Sequence, residues 1–296
     1  MKILVAVDQH PYSAYAVGEV AKLAANTWAN VSLLGVQSNS GLKKAAAGAA
    51  RLQTEDGPLP QALFDLHRHF LSHFDQQECP YTQPEGEQAL IQVKKGVFEA
   101  SPASVDAKKK LTLRLRIGNA GREVITEAKE EQSDLIVLGC DPANGCSWEN
   151  PPDLPRKVAN DAPCSVLVVK KNKPVKRIVC CLDHDRVSQA SLEMINQMVT
   201  LHDAQLTIIG LAASQSLKTA VEAKLDGILR YYQAREIDPW FELVEIDSLD
   251  AFIARESHWG LLALWMGKQS ILEKAFPRGK VNKLIKGGDA SVLILR

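Results

Sequence analysis

His69 and His73 stand four residues apart in LPQALFDLHRHFLSHFDQQ (59–77), a spacing that puts two imidazoles on one side of a helix, with His67 and Cys79 nearby in the chain. Such a pair could hold a transition-metal ion. No glutamate sits where an HExxH metallohydrolase keeps its base, so these histidines are expected on the solvent-facing flank. Leu63, Leu66, Phe70 and Phe74, broadened by Phe64 and Leu71, form the stripe that would bury. Cys140 and Cys146 have five residues between them, which suits neither a zinc knuckle nor a CxxC redox pair. With six cysteines in 296 residues, free thiols in a reducing compartment are the expectation. Glu130 and Glu131 read as the solvated face of a charged helix, and Trp240, Trp259 and Trp265 as core residues. The GxSxG elbow, the GxxxxGK[ST] loop and a GxGxxG after a strand are all missing, so no catalytic residue is expected and the chain is read as a non-enzyme.

Thirty-five Lys plus Arg offset 35 Asp plus Glu, and this zero net charge removes the positive field that nucleic acid or an anionic membrane would need. Neither is expected as a partner. The apolar runs are strand-sized, and ILVAV after Met1 and Lys2 is too short for a signal-peptide core. Cytoplasmic residence follows as the expectation.

The elements that must carry these side chains occur twice. ILVAVD (3–8) recurs as IVCCLD (178–183) and VSLLGV (31–36) as LTIIGL (206–211), each displaced by 175 residues. LIVLG (135–139) and CSVLVVK (164–170) recur as ALWMG (263–267) and ASVLILR (290–296), displaced by 128 and 126. The first copy therefore carries an insertion of 47 residues, the difference between 175 and 128, within about 38–108. Its first part, 39–58, reads as flexible, 59–77 as a helix that covers a crevice or meets a partner, and 85–110 is open between strand and helix.

In each copy apolar strands alternate with helices, which predicts parallel strands with helical crossovers covering both faces. In the first copy a helix opens with Ser13 as N-cap, LTLRLRI (111–117) alternates like a half-exposed edge strand, and further helices fall at 121–132 and 154–160. In the second, strands fall near 177–183, 206–212, 240–247, 261–267 and 291–295. The basic, proline-containing KKNKPVK (170–176) links two domains, 1–171 and 172–296.

A first strand ending in Asp8, a Ser-capped helix, a fourth strand ending in Gly139 and a closing APCSVLVVK (162–170) resemble the universal stress protein family, in its tandem form. The resemblance implies an α/β fold of two flavodoxin-like (adenine nucleotide alpha hydrolase-like) five-stranded parallel sheets, duplicated, with strand order 3-2-1-4-5. It also implies pairing through the last strands, as an intramolecular pseudo-dimer or a homodimer.

Nucleotide-binding members of that family carry G-x2-G-x9-G-[ST] after the fourth strand, whose glycines let backbone amides approach phosphate at a helix N-terminus. In the first copy the second glycine position is Pro142 and the closing pair is Pro152 and Asp153. Proline offers no N–H and Asp153 brings the wrong charge, so the cradle is read as lost and Asp8 as a crevice or helix-facing polar residue. In the second copy Gly267, Ser270, Gly279 and Lys280 follow the pattern with one residue fewer, and Asp183 is the strand-end carboxylate. An ATP or phosphate site there is the alternative to having no cofactor. The expected function is a non-enzymatic stress protein acting through an unidentified protein partner, and the competing one an ATP or AMP sensor using the second domain alone.

Overall fold

The computed structural model describes residues 1–38, 51–75, 79–81, 89–100, 108–144, 146, 148, 151–170, 174–182, 187–212, 218–256, 260–266 and 278–296. The chain divides into two units, Met1–Val169 and Lys170–Arg296.

The first unit runs β1 (Lys2–Val7), α1 (Pro11–Asn26), β2 (Asn30–Gln37), β3 (Arg51–Gln53), α2 (Pro58–Leu71), β4 (Ala89–Lys94), β5 (Val97–Ala100), β6 (Leu111–Ile117), α3 (Ala120–Glu130), β7 (Leu135–Gly139), α4 (Leu154–Asp161) and β8 (Ser165–Val169). Its strands are ordered β8-β7-β1-β2-β6-β5-β4-β3. The first five are parallel, and β5, β4 and β3 extend the sheet in antiparallel fashion from β6. Ile3–Val7 and Leu135–Gly139 are buried throughout, as apolar runs between two helical layers must be. Right-handed crossovers put α1 and α2 together on one face and α3 and α4 on the other.

Several expectations need correcting here. Among the described residues the sheet of this unit is mixed and has eight strands, where five parallel ones were anticipated. LTLRLRI is no edge: β6 is paired on both sides, with β2 and β5, and its arginines point at carboxylates. The insertion's helix is the crossover that carries the chain from β2 towards β6, so it belongs to the basic fold; the added structure is β3, β4 and β5 at the sheet margin. Within the stretch read as flexible, 39–50 lie outside the described residues, while Arg51–Gln53 pairs with Ile91–Ala89 and Asp56 caps the following turn through Gln53 N. The helix itself ends at Leu71 because the next residues tighten into i→i+3 bonds, and Phe74 folds back onto Phe70 and Tyr81 at ring distances of 5.2 and 5.3 Å. Of 85–110, residues 89–100 form the β4–β5 hairpin.

The second unit runs β9 (Arg177–Leu182), α5 (Gln189–His202), β10 (Gln205–Ala212), α6 (Lys218–Gln233), β11 (Trp240–Glu245), α7 (Leu249–Glu256), β12 (Leu261–Trp265), α8 (Arg278–Lys286) and β13 (Ser291–Leu295). Its five strands are parallel, in the order β11-β10-β9-β12-β13. Ser188 caps α5, accepting from Ser191 N at 3.1 Å. The buried Lys170 spreads its ammonium over the carbonyls of Leu284 and Gly287 at the end of α8, at 2.8 and 2.6 Å. Trp265 is buried and donates to Ser191 Oγ, but Trp240 is 67% exposed on the margin strand β11 and is not core. Trp259 lies outside the described residues. Among the described residues no helix is long and apolar enough to cross a membrane.

Candidate functional site

Beyond the carboxyl ends of β1 and β2 the first unit encloses a cavity of about 330 Å³. Open parallel sheets bind ligands at this edge, because strand ends and helix starts meet there without filling the space. The walls are apolar, from Val7, Leu34, Val36, Leu59, Val124, Trp148 and Leu154; Asp8, Gln9, Gln37 and Ser38 supply the polar groups.

Asp8 is held from three sides. Ser13 Oγ donates to Oδ1 at 2.8 Å, His10 N donates to the same oxygen at 3.0 Å, and the Tyr12 hydroxyl donates to Oδ2. Ser13 is fully buried and also accepts from Asp8 N at 2.9 Å. This corrects its expected role as N-cap. The helix starts two residues earlier, at Pro11, whose ring suits a first-turn position and whose missing N–H costs nothing there. Ser13 turns inward to orient the carboxylate instead.

The wall opposite is Trp148. Its ring lies 5.4 Å from that of Tyr12, and its Nε1 donates to Gly139 O at 2.9 Å. Trp148 went unnoticed in the sequence, where a lone tryptophan among prolines shows no periodicity. Gly139 is a glycine for a steric reason: a Cβ there would lie 1.9 Å from Tyr12 O in the first turn of α1. Its match to a phosphate motif is thus accounted for by packing. Pro142 sits in a short turn closed on Asp141, and Asp153 precedes α4 without a side-chain cap bond. Among the described residues no lysine or arginine lines the cavity.

Cys140 and Cys146 close that turn. They form a disulfide, with Cα atoms 4.7 Å apart, which overturns the expectation of free thiols for this pair. Cys146 takes a left-handed backbone (φ 56°), which brings its side chain back to Cys140. Cys79, Cys164, Cys180 and Cys181 are outside any disulfide; the last two are buried, and burial pushes the Cys181 thiol up to about 12.

In the second unit, Asp183, Gly267 and Ser270 lie outside the described residues. Gly279 and Lys280 occupy the first turn of α8, and the Lys280 ammonium is engaged by Asp250, 2.7 Å from Oδ2 and 3.0 Å from Oδ1.

His69 and His73 stack edge-on at 4.9 Å beside Gly18, and His73 Nδ1 lies 2.8 Å from His69 O. His67 faces inward, and burial, helped by the Arg68 charge, lowers its pKa to about 4. Among the described residues no three metal-ligating side chains come together. Glu130 and Glu131 are not merely solvated: with Glu99, Glu123 and the fully buried Glu127 they surround Arg114 and Arg116 between β6 and α3.

The model of the universal stress protein family matches residues 1–170. Among solved structures, a universal stress protein from Archaeoglobus fulgidus superposes with a TM-score of 0.56 at 13% identity, over 100% of this chain and 98% of its own. A putative universal stress protein from Pseudomonas aeruginosa gives 0.56 at 17%, over 99% and 92%. The cytoplasmic domain of a prokaryotic cation chloride cotransporter gives 0.52 at 12%, over 99% and 94%. At these identities the likeness is one of fold. No curated protein matches the chain.

Proposed function

Taking as premise that the chain belongs to the universal stress protein family, we propose that it is a non-enzymatic, cytoplasmic stress-response protein, built of two copies of one module, whose first unit binds a small uncharged molecule of nucleoside size and acts through protein contacts. The observation that carries this reading is the cavity's polarity: an oriented carboxylate, Asp8, among largely apolar walls, with no cation among the described lining residues. A neutral ligand with N–H or O–H donors would satisfy Asp8 and bury its ring against Trp148. A triphosphate would meet Asp8 with no cation among the described lining residues to neutralise it.

The competing reading places ATP or AMP in the second unit, at Asp183, Gly267, Ser270, Gly279 and Lys280. It requires Lys280 to leave Asp250 for a phosphate. Calorimetric titration of the full chain with adenosine, AMP and ATP, with and without Mg²⁺, separates the two. The expected result is adenosine binding that Asp8→Asn abolishes and no binding of ATP. ATP binding that survives Asp8→Asn and is lost in Lys280→Glu would establish the second-unit site instead. No heat with any of the three would reject nucleoside-class ligands for both.

A further inference from the structure

Cys140 directly follows β7, and Cys146 lies two residues before Trp148, which walls the cavity. The described residues between them bond to one another and to Cys146. Asn144 N and Cys146 N donate to Asp141 O at 3.2 and 2.9 Å, and Ala143 N and Asn144 Nδ2 donate to the Asp141 carboxylate at 3.0 Å each. Such a turn can open without breaking a strand or a helix. Trp148 is tied to the protein by its indole bond to Gly139 O, by Trp148 N to Pro152 O at 3.3 Å, and by Tyr12, whose hydroxyl holds Asp8. A bond between Cys140 and Cys146 therefore shortens the tether of one cavity wall.

Disulfides are uncommon in a reducing compartment, and those that occur there are mostly transient or redox-sensing. We propose that Cys140 and Cys146 form a reversible thiol–disulfide site whose oxidised state holds Trp148 against the cavity. The oxidant is a low-molecular-weight disulfide of the glutathione class. One cysteine thiolate attacks a sulfur of oxidised glutathione and displaces a first glutathione thiolate. The second cysteine thiolate then attacks the mixed disulfide, forms the Cys140–Cys146 bond and displaces the second glutathione. Two protein thiols are oxidised, one glutathione disulfide is reduced, and the two protons end on the two released glutathiones. The redox site stands independently of the ligand assignment but rests on the proposed cytoplasmic residence; its effect on affinity rests on the ligand assignment as well.

The test uses the full chain equilibrated natively across reduced and oxidised glutathione buffers, then alkylated after denaturation and weighed. The expected count of alkylated cysteines moves from six, the total in the sequence, to four, the free ones, with peptide mapping placing the change at 140 and 146. Tryptophan emission is expected to follow the same titration and to stop doing so in Trp148→Phe and in Cys146→Ser. Adenosine affinity is expected to differ about fivefold or more between the two states. A pair that stays reduced in the most oxidising buffer, or stays bonded under native dithiothreitol, overturns the proposal. So does a clean thiol titration with unchanged emission, which would leave a disulfide that holds nothing. Loss of adenosine binding in both states rejects the ligand assignment alone, because thiol count and emission decide the redox site separately.

Discussion

Asp8 and Ser13 hold each other twice, Asp8 N giving its proton to Ser13 Oγ at 2.9 Å and Ser13 Oγ giving its own to Asp8 Oδ1 at 2.8 Å. This closed pair turns the end of β1 into α1 and fixes the one acid among the described lining residues.

Ser13→Ala should therefore do two things at once. It strands Asp8 N and removes one of three donors to the carboxylate, at a cost of about 1–3 kcal/mol in urea unfolding. It should also weaken adenosine binding. Unchanged stability would show that the pair does not order the turn.

Gly139→Ala tests whether this glycine serves packing. Its Cβ would fall on Tyr12 O, a backbone atom with no room to retreat, so a loss of about 3 kcal/mol or more is expected, seen as a lower Tm of the ligand-free protein. A tolerated alanine with normal Tm would return the position to ligand binding.

His67 makes stability depend on pH. Its folded pKa, lowered to about 4 by burial and Arg68, lies below an unfolded value of about 6.5. Between these values the unfolded chain takes up a proton that the native state refuses. Stability is therefore intact above pH ~6.5, falls as the pH drops towards ~4, and levels below that, by about 3 kcal/mol in all. Urea midpoints across this range should fall for the parent chain and flatten for His67→Leu. Parallel slopes would exclude His67 as the cause.

Glu127 sits between two arginines with no exposure of its own. Glu127→Gln keeps the shape and removes the charge that Arg114 and Arg116 share, so a loss of about 3 kcal/mol is expected from equilibrium unfolding. A change within about 0.5 kcal/mol would mean that Glu99, Glu123, Glu130 and Glu131 suffice.

Alternation of apolar runs with helical periods determined the strands and most helices, because burial between two layers demands it of the residues in place. ILVAV, LIVLG and SVLVV could be read directly as buried strands, and the prolines at 142 and 152 could be read as departures from the family's phosphate-binding pattern. Pairing partners were beyond reach. Whether LTLRLRI stands at an edge depends on β5, which the residues before it left open between strand and helix, and Arg114 and Arg116 give alternation because carboxylates from α3 and β5 meet them. Likewise the inward turn of Ser13, the closure of Cys140 on Cys146 and the placing of Trp148 beside Tyr12 arise only once β1, α1 and β7 pack. Their distances are set by the backbone path through space, to which local residue preference contributes nothing.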